Sequence, residues 1–119
     1  MANKPAKKIL MIEDDRTLSR IYQTKLTKTG YEVEIAFDGQ EGLDKLEHFK
    51  PDVILLDVII PKIDGFAVLE KIKESPIWKK IPVILLTNLG QDEDVAKGKK
   101  LGASDYLVKS NLTPTEIIK

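Results

Sequence analysis

The chain has 119 residues, nineteen basic side chains against nineteen acidic ones, and no cysteine. That length suits one domain with a core of its own. The lack of cysteine excludes disulfides and thiolate metal sites and fits a reducing, cytoplasmic setting, while the balanced charge creates no global field for nucleic acid or an anionic membrane.

In chain order, Lys4, Lys7 and Lys8 open the sequence without a long apolar segment behind them. Residues 1–7 are read as a flexible, solvated tail, not a signal peptide, and 8–119 as a single domain. Lys8 to Ile12 predicts a strand. Thr17 to Thr29 predicts a helix with Leu18, Ile21, Tyr22 and Leu26 on one face and Gly30 as its stop. Tyr31 to Ala36 alternates like a strand. Asp38-Gly39-Gln40-Glu41 predicts a capping box for a helix that buries Leu43 and Leu46, with His48 at its solvated end. Val53 to Leu56 is a third strand. Phe66, Leu69 and Ile72 mark a third helix after Asp64-Gly65. Pro82 opens a fourth strand, Val83 to Leu86. Gln91 to Leu101 reads as a weaker helix with acid in its first turn, which suits the macrodipole, and Gly102 ends it. Tyr106 to Val108 is a fifth strand. Thr113-Pro114-Thr115-Glu116 opens a last helix with an N-cap, Pro at N1 and Glu at N3. That helix is expected to be truncated, with barely two turns before Lys119. No apolar run approaches the roughly 20 residues of a membrane helix.

Five βα units in succession imply an α/β fold, a doubly wound parallel sheet with helices on both faces. Strands buried on both faces read as continuous apolar runs, as the first, third and fourth do. Ligands of such sheets bind outside the carboxyl ends of the strands. Glu13, Asp14 and Asp15 follow the first strand, Asp57 the third, Thr87 the fourth and Lys109 the fifth. In the flavodoxin-like order 2-1-3-4-5, Glu13, Asp14 and Asp57 would converge at one end of the sheet, beside a hydroxyl and an ammonium. Two unit charges 4 Å apart repel by about 4 kcal/mol at an effective dielectric near 20. Lys109 supplies one compensating charge; a divalent cation supplies two, and hard oxygen ligands suit Mg²⁺ or Mn²⁺. A carboxylate beside such a metal is equipped to become an aspartyl phosphate. Each residue also has a plainer reading: Glu13-Asp14-Asp15 as helix caps, Thr87 as a strand-end threonine, Lys109 as a surface lysine, Tyr106 and Trp78 as packing residues. Agreement among the four strand ends favours a site.

The stretches ILMIEDD, DVILLDVIIPKIDG, VILLTN and GASDYLVK, in this order and spacing, resemble a response-regulator receiver domain of two-component signal transduction, from about Lys8 to Ile118. The resemblance implies a (βα)5 fold and roles for individual residues. Asp57 matches the phosphoacceptor. Glu13 and Asp14 match the paired acids that bind Mg²⁺, Asp14 directly and Glu13 through water, and Ile59 the residue whose backbone carbonyl completes the site. Asp15 matches only the position after the pair. Thr87 matches the hydroxyl that follows the phosphoryl group, Tyr106 the aromatic that turns inward with it, and Lys109 the phosphate-binding lysine. The implied partners are a histidine kinase or phosphotransfer protein and a downstream protein or effector domain. That downstream partner would meet the face made by helix four, strand five and helix five. Two positions depart from the pattern: Ser110 stands where Pro usually follows the lysine, and Asn88 where a small residue usually follows the threonine.

Three rivals are weaker. A haloacid-dehalogenase-like phosphohydrolase wants a second Asp two residues after its nucleophile, where this chain has Ile59. A flavin or nucleotide binder wants a glycine- or hydroxyl-rich phosphate loop where this chain has Glu13-Asp14-Asp15. A pseudo-receiver would not keep the full set of acids, Thr and Lys.

Overall fold

The computed structural model describes residues 7–58, 60, 62–87 and 92–108. Strands β1 (Lys8–Ile12), β2 (Glu32–Ala36), β3 (Val53–Leu56), β4 (Val83–Thr87) and β5 (Asp105–Val108) alternate with helices α1 (Arg16–Thr29), α2 (Gly39–Phe49), α3 (Gly65–Glu74) and α4 (Asp92–Lys100). The strands form one sheet in the order β2-β1-β3-β4-β5, and every pair is parallel. This is the predicted flavodoxin-like topology. The tail through residue 6, Ile59, Asn88, Lys109, Ser110 and the last predicted helix lie outside the described residues.

Side chains alternate across the sheet because the strand repeat is two. Leu10, Ile12, Ile54, Leu56, Val83 and Leu85 face one layer, where Leu46 and Phe49 of α2 and Phe66, Leu69 and Ile72 of α3 cover them. Ile9, Met11, Leu55 and Leu86 face the other, beneath Tyr22 and Leu26 of α1. The predicted double winding is therefore present. Burying one such side chain contributes about 1.5–3 kcal/mol, more than an exposed ion pair, about 0–1 kcal/mol. The strand ends are held by packing, not by surface charge.

The helix ends follow their sequence signals. Gly30 closes α1 in the left-handed region (φ 108°), where its amide reaches the Thr27 carbonyl at 3.0 Å. Asp38 caps α2 by accepting from the Glu41 amide at 2.8 Å. The Glu41 side chain reaches back one residue further than a capping box requires, to the Phe37 amide at 2.6 Å. The Glu41 amide, and Lys62 after it, hold the Asp38 carboxyl below the usual carboxylate range. A carboxyl with a depressed folded pKa contributes stability in full above its ordinary pKa of about 3.9. That contribution is lost as pH falls from there through the lower folded value. Asp38→Ala should therefore cost about 0.5–2 kcal/mol at neutral pH, with the gap to wild type closing in acid. Urea unfolding of both proteins at neutral and acid pH measures it.

Two packing expectations are corrected. Ile21, predicted on the apolar face of α1, is 50% exposed, while Ser19, Tyr22 and Leu26 are buried. A cylinder on a sheet buries a narrow arc. Ile21 precedes Tyr22 by one residue, about 100° around the helix, and falls outside it. Leu43 is half-buried at the margin of the core, whereas Leu46 is fully buried. His48 is exposed as expected. Trp78 packs against the core from the loop before β4. With Leu46, Pro51 and Ile81 it lines an open groove of about 570 Å³ at the amino ends of β3 and β4, the end of the sheet opposite the acids.

Candidate functional site

Strand register brings the acids together. Ile12 pairs with Leu56, so the residues that follow, Glu13 and Asp57, stand level on neighbouring central strands. The Asp57 amide donates to the Ile12 carbonyl at 3.0 Å, and the Glu13 amide to the Ala36 carbonyl at 2.9 Å. Both backbones are thus tied to adjacent strands just where the sheet ends. The two side chains are buried, Glu13 at 1% exposure and Asp57 at 7%. One Glu13 carboxylate oxygen accepts the Asp15 amide at 3.1 Å, which orients it from within the turn. Asp14 is exposed.

One carboxylate oxygen from each of Glu13, Asp14 and Asp57 lies within 4.8 Å of the other two. At that distance two full charges repel by about 3 kcal/mol at an effective dielectric near 20. Such a cluster of hard oxygens, two of them taken out of water, fits a small divalent cation. Mg²⁺ takes few carboxylates and keeps several waters, and the exposed Asp14 leaves an open side for them. The donor set therefore fits the predicted Mg²⁺, with Mn²⁺ as its chemical relative.

The run Glu13-Asp14-Asp15 divides between the two readings that the sequence left open. Asp15 is the cap of α1: its backbone is extended (φ −76°, ψ 106°) and its side chain accepts from the Leu18 amide at 2.9 Å. Glu13 and Asp14 belong to the cluster with Asp57.

The loop after Asp57 is closed by a glycine. The Gly65 amide donates to the Val58 carbonyl at 2.8 Å. A β-carbon at position 65 would overlap the Asp57 carbonyl oxygen and come within 2.6 Å of the Val58 Cα. The first turn of α3 can approach the backbone of Asp57 this closely only without a side chain. Asp64 caps the same helix by accepting from the Ala67 amide at 3.0 Å.

Thr87 ends β4 and pairs in register with Val108 at the end of β5. This backbone position is one residue beyond Leu86, the residue level with Asp57. Lys109 and Ile59 lie outside the described residues. Tyr106 is buried at 8% exposure on β5, opposite Leu85. Its ring lies under α4: a β-carbon at Gly98 would come within 2.9 Å of it and within 2.6 Å of the Leu85 Cδ1. Sequence reading missed Gly98. Its signal was a glycine inside a weak helix, which often marks close packing.

A five-stranded parallel sheet of this order, with paired acids after its first strand and a buried aspartate after its third, has the architecture of a receiver. The family model for the response regulator receiver domain matches residues 9–119, and the chain belongs to that family. The probable transcriptional regulator ycf27 of Cyanophora paradoxa is 42% identical over 113 residues, which cover 93% of this chain and 45% of that protein. Among solved structures, the chemotaxis protein CheY4 of Vibrio cholerae superposes with a TM-score of 0.88 at 32% identity, covering 95% of this chain and 93% of that one. The Mn²⁺-bound form of response regulator Rcp1 does so with a TM-score of 0.81 at 35% identity, covering 92% of this chain and 85% of that one. The chain spans less than half the length of the curated relatives it matches. Among the described residues, no helix is long and apolar enough to cross a membrane.

Proposed function

We propose that the chain is a Mg²⁺-dependent phosphoacceptor that takes a phosphoryl group from the phosphohistidine of a histidine kinase or phosphotransfer protein onto Asp57. The observation that carries this reading is the buried Asp57 carboxylate, tied through its own backbone to β1 and set within 4.8 Å of two further carboxylates. An Asp57 oxygen forms the bond to phosphorus as the phosphorus–nitrogen bond breaks, and the electron pair stays on the departing imidazole, which takes up a proton. Glu13, Asp14, Asp57 and the Ile59 carbonyl would hold a divalent cation, which would supply positive charge to the transferring oxygens. The Mn²⁺-bound form of Rcp1 supports a divalent cation in a protein of this fold.

The residues of the chain do the rest. The register of β1 and β3 fixes the nucleophile, and burial limits the approach of water to the acyl phosphate. Thr87, at the end of β4 beside β3, and Lys109, the residue after β5 in sequence, take the remaining phosphoryl oxygens. The chain assists its own phosphorylation and its slow hydrolysis, and its product is a conformational signal, not a released metabolite. It works in the cytoplasm. A downstream protein or effector domain reads the face made by α4, β5 and the last helix that the sequence predicts, and this domain itself makes no nucleic-acid contact. The chain spans about half of relatives described as transcriptional regulators, which supports an output of that kind.

Acetyl phosphate with and without Mg²⁺ tests the reading. Intact mass should rise by one phosphoryl group only with the metal, and peptide mapping should place it on Asp57. No gain with Mg²⁺ refutes the reading. The signalling step has its own test. A phosphate adds charge and acceptor oxygens at one point, and a two-state element must respond. Thr87→Ala should still take phosphate but should lose most of the amide shift changes that beryllofluoride induces around Tyr106. The full wild-type change in this variant would break the link between Thr87 and Tyr106.

A further inference from the structure

Lys62 has left-handed backbone (φ 69°) although it is not glycine. In that region a β-carbon crowds the following carbonyl, so something outside the residue holds it there. Two contacts bear on this stretch, one on Lys62 from the cap residue of α2 and one on its neighbour Ile63 from the first residue of that helix. The Lys62 ammonium lies 3.5 Å from Asp38 Oδ2, while Asp38 Oδ1 caps α2. Beside them, Gly39 is packed so tightly on Ile63 that a β-carbon would overlap the Ile63 carbonyl oxygen and approach its Cβ to 2.9 Å. Residues 62 and 63 belong to the second half of the loop that runs from Asp57 to Gly65. Its ends are fixed separately, by the Asp57 amide on Ile12 and the Gly65 amide on Val58. One carboxylate thus starts a helix with one oxygen and tethers the acceptor loop with the other.

We propose that the Lys62–Asp38 pair is a positioning latch, which holds the loop behind Asp57 in its receptive form through the first turn of α2. Its effect on phosphoryl transfer rests on the function proposed above; its effect on the loop does not. Lys62 is 67% exposed, and exposed pairs add little to global stability. The expected effect is accordingly local, with little change in Tm. The other left-handed lysine, Lys50, is the C-cap of α2, a position that accounts for its backbone and that Lys62, which ends no helix, does not share.

Lys62→Asn and Asp38→Asn test the latch, singly and together. Asn tolerates left-handed backbone at 62 and still caps a helix at 38, so each removes the charge and spares the fold. Each single variant should exchange the Gly65 amide about two- to fivefold faster in metal-free buffer, the factor that an exposed ion pair commands. Each should also slow labelling by acetyl phosphate by a similar factor, with Tm within a few degrees of wild type. The double variant should be no worse than either single one. Salt at about 0.5 M should narrow the gap to wild type, because it screens the pair. Unchanged Gly65 exchange in both single variants overturns the latch, whatever the labelling does. So do effects that multiply in the double variant. If the wild-type protein takes no label while Gly65 exchange responds, the proposed function fails and the tether stands.

Discussion

Asp57→Asn should reduce Mg²⁺-dependent phosphoryl incorporation to background and leave the domain folded. The amide replaces one oxygen by nitrogen at nearly constant shape, so the pocket that buries Asp57 to 7% exposure keeps its packing. The two hydrogen bonds that place the loop are made by backbone groups, Asp57 to Ile12 and Gly65 to Val58, and the substitution touches neither. The nucleophile does change. A carboxylate presents a full negative charge to phosphorus, whereas the amide nitrogen lone pair is delocalised and its oxygen carries no net charge. Intact mass after acetyl phosphate treatment reads the loss, and circular dichroism with urea unfolding reads the retained fold. Full incorporation in the variant would transfer the acceptor role to another carboxylate. Asp14, exposed and in the same cluster, would be the first to map.

The parts of the fold that the sequence revealed are those where one force dominates. β1 and β3 begin and end as predicted, at Lys8–Ile12 and Val53–Leu56. Both are central, buried on two faces, and so appear as unbroken apolar runs. The edges are less legible. β2 starts at Glu32, not Tyr31, and β5 at Asp105, not Tyr106, because an edge strand tolerates polar side chains and blurs the pattern. α1 starts at Arg16, since Asp15 has become its cap.

The site shows the same division. Strand-end position was enough to group Glu13, Asp14 and Asp57, because parallel topology sends all carboxyl ends one way. The resemblance set Asp15 apart from the pair before it, and the structure agrees: Asp15 caps α1 while Asp14 joins the cluster. Strand-end position was not enough to find the left-handed Lys62, since no side-chain pattern marks a residue that its neighbours force into that region. That detail goes with a contact between segments 24 residues apart, Asp38 with Lys62, which no local window contains.

Asp14→Ala and Asp15→Ala should consequently behave as opposites, although they change neighbouring residues of one type. Asp15 caps α1, and losing a cap costs about 0.5–2 kcal/mol. Asp15→Ala should therefore be less stable than wild type in metal-free buffer. It should remain less stable by the same amount when Mg²⁺ is added, because the ligand set is intact. Asp14 makes its contribution to the cluster instead. Removing it relieves repulsion between carboxylates, so metal-free stability should hold or rise. Its cost appears only with the cation. A ligand that binds the folded state alone stabilises by about 2.7 kcal/mol at one hundred times its Kd, and this increment should largely vanish in Asp14→Ala at the same Mg²⁺ concentration. Urea unfolding across a Mg²⁺ titration separates the two patterns, and calorimetry supplies the affinities. Fluorescence of Trp78 is a poor reporter here, since that residue sits at the opposite end of the sheet. A metal-independent loss for Asp14→Ala, or a lost Mg²⁺ increment for Asp15→Ala, would reverse the two roles along the run that follows β1.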